Sequence, residues 1–180
     1  AALTVVVDTT PPAAPTALDL ATADDTGTST TDNLTKQTSA LTISGQADAN
    51  AVVELFDGAT SLGTVSANGS GVFTKDLTLA EGTHTITARA ADLAGNTGTA
   101  SSALTVVVDT TPPAAPTALD LAAADDTGVS SSDNITNLTS GLTISGQSEA
   151  NAVIELFDGA TSLGTVTADG SGAFSLDVSL

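Results

Sequence analysis

Short runs in which apolar and polar residues alternate follow one another along this chain of 180 residues, separated by turns rich in Gly, Asn and Asp. Alternation with a period of two turns every second side chain to one face, as in a half-buried β-strand. No helical period interrupts the pattern. The strands that it predicts in the first part of the chain are 15–21, 41–47, 51–65 (two strands around a tight turn at Asp57–Gly58), 71–79, 84–90 and 103–109.

The alternation also predicts which side chains form the core. Val, Ile and Thr, which favour pleated sheets, are frequent, whereas aromatic residues make up 2% of the chain. We therefore expect a core of small aliphatic side chains, with all four Phe residues pointing inward. The other positions expected to face the core are Leu41, Ile43, Leu77, Leu79, Ile86, Ala88, Leu104, Val106 and Val108.

A long internal repeat organises the sequence. The stretch VVVDTTPPAAP occurs at residues 5–15 and again at 106–116, and residues 8–79 align with 109–180 without a gap, differing at 18 of 72 positions. Copies this similar indicate one module multiplied in tandem. We expect residues 1–7 to be the closing strand of a preceding repeat and 8–108 to be a complete repeat. Residues 109–180 are then a second repeat, truncated before its last two strands.

The strand count predicts the fold class. About seven short strands in roughly 100 residues, with turn signals every 8–12 residues, are typical of an immunoglobulin-like sandwich. The sequence therefore predicts an all-β protein of tandem immunoglobulin-like β-sandwich repeats arranged end to end. Pro11, Pro12 and Pro15 fix the backbone of the connecting linker, which is expected to act as a semi-rigid spacer.

Charge excludes several classes of partner. The net charge is −18, with three Lys and Arg residues against 21 Asp and Glu. Nucleic-acid binding is excluded because it requires basic patches that displace counterions from phosphates. No apolar run approaches the roughly 20 residues of a membrane span, so no membrane insertion is expected within this segment. The chain has no Cys, and hence no disulfide.

Tracing the strands from pole to pole predicts which loops meet. The first strand carries the chain from the linker to the far pole, so the loop 23–33 lies there. The strands that follow return the loop 92–96 to the near pole, beside Asp8. The closing strand then brings Asp109 to the far pole. Each junction between repeats is therefore expected to gather carboxylate and amide oxygens from the loop, the linker Asp and the near-pole loops of the next repeat.

The motifs themselves resemble a known family. DTTPPAAP, DDTGTSTTDNLT, ISGQADANAVVELFDG and ARAADLAGNTG are similar to the bacterial Ig-like repeats of giant surface adhesins. These include biofilm-associated proteins and the extender regions of type I-secreted adhesins. The resemblance implies a structural stalk at the extracellular bacterial cell surface, which projects an adhesive region for cell adhesion or biofilm formation. The partners that it implies are neighbouring repeats of the same polypeptide.

The resemblance also implies a cofactor, Ca²⁺, that stiffens the junctions. Asp, Asn and backbone carbonyl oxygens are the hard ligands that calcium takes. The sequence contains no EF-hand loop, and the competing interpretation is that these residues are solvated loop and turn residues. The expected metal ligands are Asp8, Asp24, Asp25, Asp32, Asn33, Asp92, Asn96, Asp109, Asp125, Asp126, Asp133 and Asn134.

Two further functions are compatible with the sequence. The repeat could itself bind a glycan or a protein, which would require an exposed aromatic or apolar patch. Alternatively, the acidity could belong to a surface-layer protein of a halophile. An enzyme is not expected, because His84 is the single histidine and no Ser or Thr has a base arranged beside it.

The predicted truncation of the second repeat has a structural consequence. A sandwich that lacks two neighbouring strands should expose inner-face residues such as Val153 and Phe174, together with an unpaired edge. We therefore expect either a longer parent chain or strand exchange, in which other copies supply the missing strands by β-augmentation.

Overall fold

The computed structural model describes residues 2–27 and 29–180 and divides the chain into two compact units, which meet in sequence at Thr111 and Pro112. Every regular element in the described residues is a β-strand. The predicted all-β class is therefore confirmed. Across the same residues, no helix is long and apolar enough to cross a membrane.

The first unit contains eight strands. Seven of them match the strands expected from alternation, and the short strand β2 is additional. Their bounds are β1 Thr16–Leu20, β2 Leu34–Thr35, β3 Leu41–Gln46, β4 Val52–Asp57, β5 Thr60–Ser66, β6 Val72–Leu77, β7 Gly82–Ala91 and β8 Leu104–Val108.

These strands form two sheets, which pack face to face. One sheet has the order β1-β3-β6 and the other the order β2-β8-β7-β4-β5. All pairs are antiparallel except β2 with β8, where Leu34 lies opposite Val107 and Thr35 opposite Val108. This arrangement is the immunoglobulin-like sandwich that the strand count predicts.

Small aliphatic side chains fill the space between the sheets, as expected. Leu41 and Ile43 come from the three-stranded sheet, and Val53, Leu55 and Ile86 come from the five-stranded sheet; all are fully buried. Because successive side chains of a strand alternate between faces, this burial fixes the register of each strand.

The second unit repeats the fold as far as the chain continues. Its three-stranded sheet has the order β13-β10-β9, and β11 pairs with β12 in a second sheet. In Pro112–Leu180 no strand corresponds to β2 or to its partner β8. The strand bounds are β9 Thr117–Leu121, β10 Ser140–Gln147, β11 Val153–Asp158, β12 Thr161–Thr167 and β13 Ala173–Ser179.

Two expectations about exposed and buried side chains were wrong. Phe174 is buried, with 5% of its surface exposed, because it packs over Gly146 within its own sheet. Val153 is 59% exposed, but its counterpart Val52 in the first unit is 40% exposed. Both valines therefore belong to the outer face of the sandwich, and the missing strands are not the cause of the exposure.

The Phe residues do not all point inward. Phe73 and Phe174 are buried, whereas Phe56 is half-buried and Phe157 is 56% exposed. Phe56 and Phe157 sit directly before Asp57 and Asp158 at the ends of β4 and β11, on the face opposite to Leu55 and Leu156. The period-two rule gives this outward direction once the inward position of the leucines is known.

Candidate metal-binding loops

The loop between β1 and β2 is built from side-chain oxygens that accept backbone N–H groups. Asp24 Oδ2 accepts from Thr42 N at 2.8 Å, and Asp32 Oδ1 accepts from Leu34 N at 3.2 Å. Asn33 adopts a left-handed conformation with φ of 59° and accepts from Leu20 N at 3.3 Å through its side chain. Short Asp and Asn side chains suit such loops because they satisfy backbone donors locally.

Asp25 occupies a different position in this loop, since its side chain points into the protein. It is 3% exposed, and its Oδ2 accepts from Asn33 N at 3.0 Å. Its Oδ1 is also buried, and among residues 2–27 and 29–180 it finds no hydrogen-bond partner. A buried carboxylate oxygen without a partner is costly, because it has lost water and received no donor or cation in exchange.

The second unit reproduces this arrangement with a different neighbouring sequence. Asp126 is 5% exposed, and its Oδ2 accepts from Asp133 N and Asn134 N, both at 3.1 Å. Its Oδ1 likewise has no partner within Pro112–Leu180. Asp125 accepts from Thr143 N at 2.9 Å, as Asp24 does from Thr42. The unpartnered oxygen is thus a property of the repeat.

The backbone of Asp109 contacts β2, the strand that follows the loop, and its carboxylate points elsewhere. Its N–H donates to Thr35 O at 2.8 Å, while its Oδ1 accepts from Thr111 N at 3.0 Å. The predicted approach of Asp109 to the loop 23–33 therefore ends at β2, and among the described residues its carboxylate does not form a cluster with Asp24, Asp25 and Asp32. Its carboxylate caps the start of the linker.

Asp8, Asp92 and Asn96 lie together at the opposite end of the first unit. Asn96 Nδ2 donates to Asp8 O at 3.1 Å and to Asp92 Oδ2 at 2.8 Å. The hydrogen bond from Asn96 lowers the pKa of Asp92 below its usual range. Asp8, Asp48 and Asp92 line an open cleft of ≈ 380 Å³ together with Asn50.

In the described residues, carboxylates alone do not supply enough ligands for a metal ion. Nowhere in 2–27 and 29–180 do three or more His, Asp or Glu side chains lie close enough together to hold a metal ion. Any ion in the Asp25 loop would need amide, hydroxyl, backbone carbonyl or water oxygens as further ligands. Calcium accepts all of these.

Alternation and loop composition did not identify the residues that hold the linker. Asp48 Oδ2 accepts from Ala13 N at 3.1 Å, and its counterpart Glu149 accepts from Ala114 N at 2.8 Å. Glu81 accepts the hydroxyl groups of Thr110 and Thr111 at the other end of the first unit. The sequence signal for the first contact was the exchange of Asp for Glu at the same place in two nearly identical repeats.

His84 is half-buried, and both of its ring nitrogens lie within hydrogen-bond distance of an oxygen. Its Nδ1 is 2.7 Å from Asp57 Oδ2, and its Nε2 is 2.9 Å from Ala80 O. Asp57 was expected to be a plain turn residue, but it also accepts from Thr85 N at 3.0 Å. The hydrogen bond from His84 lowers the pKa of Asp57.

Solved structures similar to this chain include two that come from a biofilm-associated protein and from a large adhesion protein. One is a biofilm-associated protein, BSP domain, at 19% identity and a TM-score of 0.31, covering 81% of this chain and 23% of that chain. The other is a tetra-tandem repeat in the extending region of a large adhesion protein, at 19% identity and a TM-score of 0.32, covering 91% and 41% respectively. The chain thus spans less than half the length of either structure.

No curated protein matches this sequence. The sequence profile described as a bacterial Ig-like domain matches residues 10–110 and 112–180. These two ranges cover most of the chain, one in each compact unit, and each contains a copy of the loop with the buried carboxylate. The chain belongs to the family of bacterial Ig-like domains.

Proposed function

We propose that this chain is a stalk segment of a large bacterial surface adhesin, and that its repeats bind calcium through the loops of Asp25 and Asp126. The proposal includes an extracellular location and, as partners, neighbouring repeats of the same polypeptide. Two successive matches to the bacterial Ig-like domain family motivate the proposal. The observation that carries its calcium part is the buried, unpartnered Oδ1 of Asp25, repeated in Asp126.

A bound cation would compensate the buried charge of Asp25 and of Asp126, each of which has one oxygen without a hydrogen-bond donor. Each holds one oxygen against backbone N–H groups and leaves the other without a donor. Because the same oxygen lacks a donor in both repeats, one bound cation in each loop would satisfy both carboxylates in the same way.

The chemistry of the loop favours calcium among cations. The surrounding ligands are carboxylate, amide and hydroxyl oxygens, and the chain has one His and no Cys to select a softer metal. Asp24, Asp32 and Asn33 each use one side-chain oxygen for a backbone N–H and keep lone pairs for an ion. Calcium tolerates this irregular set, and extracellular modules need affinities of only about 10⁻⁴–10⁻³ M.

Two hydrogen bonds support the proposal that an ordered loop would stiffen the linker. Asn33, which donates to Asp25, accepts from Val107 N at 2.9 Å, and Thr35 accepts from Asp109 N at 2.8 Å. An ion bound at Asp25 would order the segment against which the last strand ends. The residues Pro112 and Pro113 that follow have a fixed φ, so an ordered start gives the linker a defined direction.

Small-angle scattering tests the stalk proposal on the intact chain. If calcium orders the loops and stiffens the linker, removing it with EDTA should shorten the maximum dimension, and excess Ca²⁺ should restore it. Asp158→Asn, a change at the exposed end of β11, is the matched control and should leave the response intact. An identical maximum dimension with and without calcium would contradict the proposal. A response to NaCl equal to that of CaCl₂ at matched ionic strength would favour the halophile interpretation.

A further inference from the structure

His84 is the one side chain in the first unit whose two ring nitrogens both face hydrogen-bond acceptors. Nδ1 faces the carboxylate of Asp57 at 2.7 Å, and Nε2 faces the carbonyl oxygen of Ala80 at 2.9 Å. A neutral imidazole carries one N–H, so it can satisfy one of these contacts and not both. Only the doubly protonated, positively charged ring donates in both contacts.

The charged groups around His84 are acidic on each neighbouring element. Asp57 ends β4, Glu81 lies in the turn before β7, and Asp109 follows Val108, which pairs with Gly82. Burial lowers the pKa of His84, but the hydrogen bonds to Asp57 and Ala80 outweigh burial and raise the pKa above 6.5. Arg89 lies further along β7 with its side chain exposed, at a position of opposite parity to the buried Ala88 and Ala90.

The turn that His84 holds also holds the linker. Ala80, the acceptor of Nε2, is followed by Glu81, whose carboxylate accepts the hydroxyl groups of Thr110 and Thr111. Those two hydrogen bonds lower the pKa of Glu81, which therefore stays ionised throughout the range in which a histidine titrates. A continuous path of hydrogen bonds and two backbone residues thus joins the imidazole to the beginning of the linker.

We propose that His84 is a proton-operated clasp, which holds the turn 80–82 and, through Glu81, the linker residues Thr110 and Thr111 when the ring is protonated. On deprotonation the ring keeps its hydrogen bond to the carboxylate, which is the stronger acceptor. The lone pair of Nε2 then faces the lone pairs of Ala80 O. The turn moves away from the ring, and Glu81 loses its fixed position against the linker.

The direction of the pH response follows from the raised pKa. The stabilisation from His84 is fully present below the unfolded-state value of 6.5 and is lost as the pH rises through the folded-state pKa. At the acidic end, the contribution of Asp57 is lost as the pH falls through its own lowered pKa. The clasp is therefore closed below pH 6.5 and opens as the pH rises through the raised pKa of His84.

The experiment is an NMR titration of the intact chain from roughly pH 5 to 9, the range in which a histidine changes its charge. The ring of His84 should titrate with a midpoint above 6.5, and the backbone amides of Gly82, Thr110 and Thr111 should shift with the same midpoint. Hydrogen exchange of protected amides in the turn should rise about fivefold beyond the intrinsic pH effect, as expected from the loss of one hydrogen bond.

Two variants separate the steps of the path. In Glu81→Ala, His84 and Gly82 should still titrate, but Thr110 and Thr111 should no longer follow. In His84→Gln, which does not titrate, none of these amides should show the transition. A ring midpoint at or below 6.5, or linker amides that ignore the titration of His84 in the unchanged chain, would overturn the proposal. Repeating the titration in EDTA separates it from the calcium proposal, because the clasp needs no metal.

Discussion

Asn33 joins the buried carboxylate of Asp25 to the last strand of the first unit. Its N–H donates to Asp25 Oδ2 at 3.0 Å, and its carbonyl oxygen accepts from Val107 N at 2.9 Å. Both contacts depend on the left-handed backbone of Asn33, with φ of 59°, a conformation that Asn adopts more readily than most residues. A change in the charge or ligation of Asp25 therefore acts directly on the residue that positions β8.

The core tolerates no side chain at Gly45. A Cβ there would overlap the ring of Phe73, and the same conflict exists between Gly146 and Phe174. Overpacking of this kind typically costs about 1–3 kcal/mol, so Gly45→Ala should lower the free energy of unfolding by that amount in urea titrations.

Gly69→Ala is the matched control for this prediction. A Cβ at Gly69 meets nothing within 4 Å, so the free energy of unfolding should change by less than about 0.5 kcal/mol. In the double variant Gly45→Ala, Phe73→Leu, the smaller leucine removes the ring atoms that the new Cβ would overlap. The cost of Gly45→Ala should therefore be smaller in the Phe73→Leu background than in the unchanged chain. Equal effects of the two single alanine variants would show that the contact with Phe73 is not what excludes a side chain.

The acidic residue that holds the linker should be replaceable only by another acid. Asp48→Ala removes the acceptor of Ala13 N and should cost about 0.5–1.5 kcal/mol of stability, the net value of one hydrogen bond. The exposure of the pair places the expected loss at the lower end of that range. Asp48→Glu should be nearly neutral, because Glu149 makes the equivalent contact with Ala114 N at 2.8 Å in the second unit.

Hydrogen exchange at the amide of Ala13 provides the direct measurement of this contact. Its protection should fall in Asp48→Ala and remain in Asp48→Glu. If both variants behave alike, the hydrogen bond does not hold the linker.

Alternation predicted the strands because one face of each is buried, and the two repeats supplied the same pattern twice. Strand β2 was not predicted because its two residues, Leu34 and Thr35, are too few to show an alternation. Their pairing with β8 depends on the tertiary structure. The outward direction of Phe157 was not predicted, because the apolar character of a residue does not indicate which face of the strand its side chain occupies. In a strand, the face is set by the parity relative to buried neighbours such as Leu156.

The candidate site was predictable in part. Loop composition pointed to the acidic residues between β1 and β2. Pole-to-pole tracing placed Asp8 beside the loop 92–96, where Asn96 contacts its carbonyl oxygen. It placed Asp109 beside the loop 23–33, whereas the N–H of Asp109 meets Thr35 in β2. The sequence could not show that Asp25 is buried while Asp24 and Asp32 accept hydrogen bonds from backbone N–H groups. The direction of each carboxylate is set by the turn and not by the residue type. Nor could the sequence show the pairing of His84 with Asp57, which are 27 residues apart and meet only through strand pairing.

Calorimetric titration of the intact chain with Ca²⁺ tests the central claim most directly. We expect binding at one site per loop, lost at one loop in Asp25→Asn and at the other in Asp126→Asn, with the control Asp158→Asn unchanged. At a hundredfold excess over Kd, each site should add roughly 2.7 kcal/mol to the stability of its unit. Absence of calcium binding, or binding that survives in the double variant Asp25→Asn, Asp126→Asn, would contradict the account.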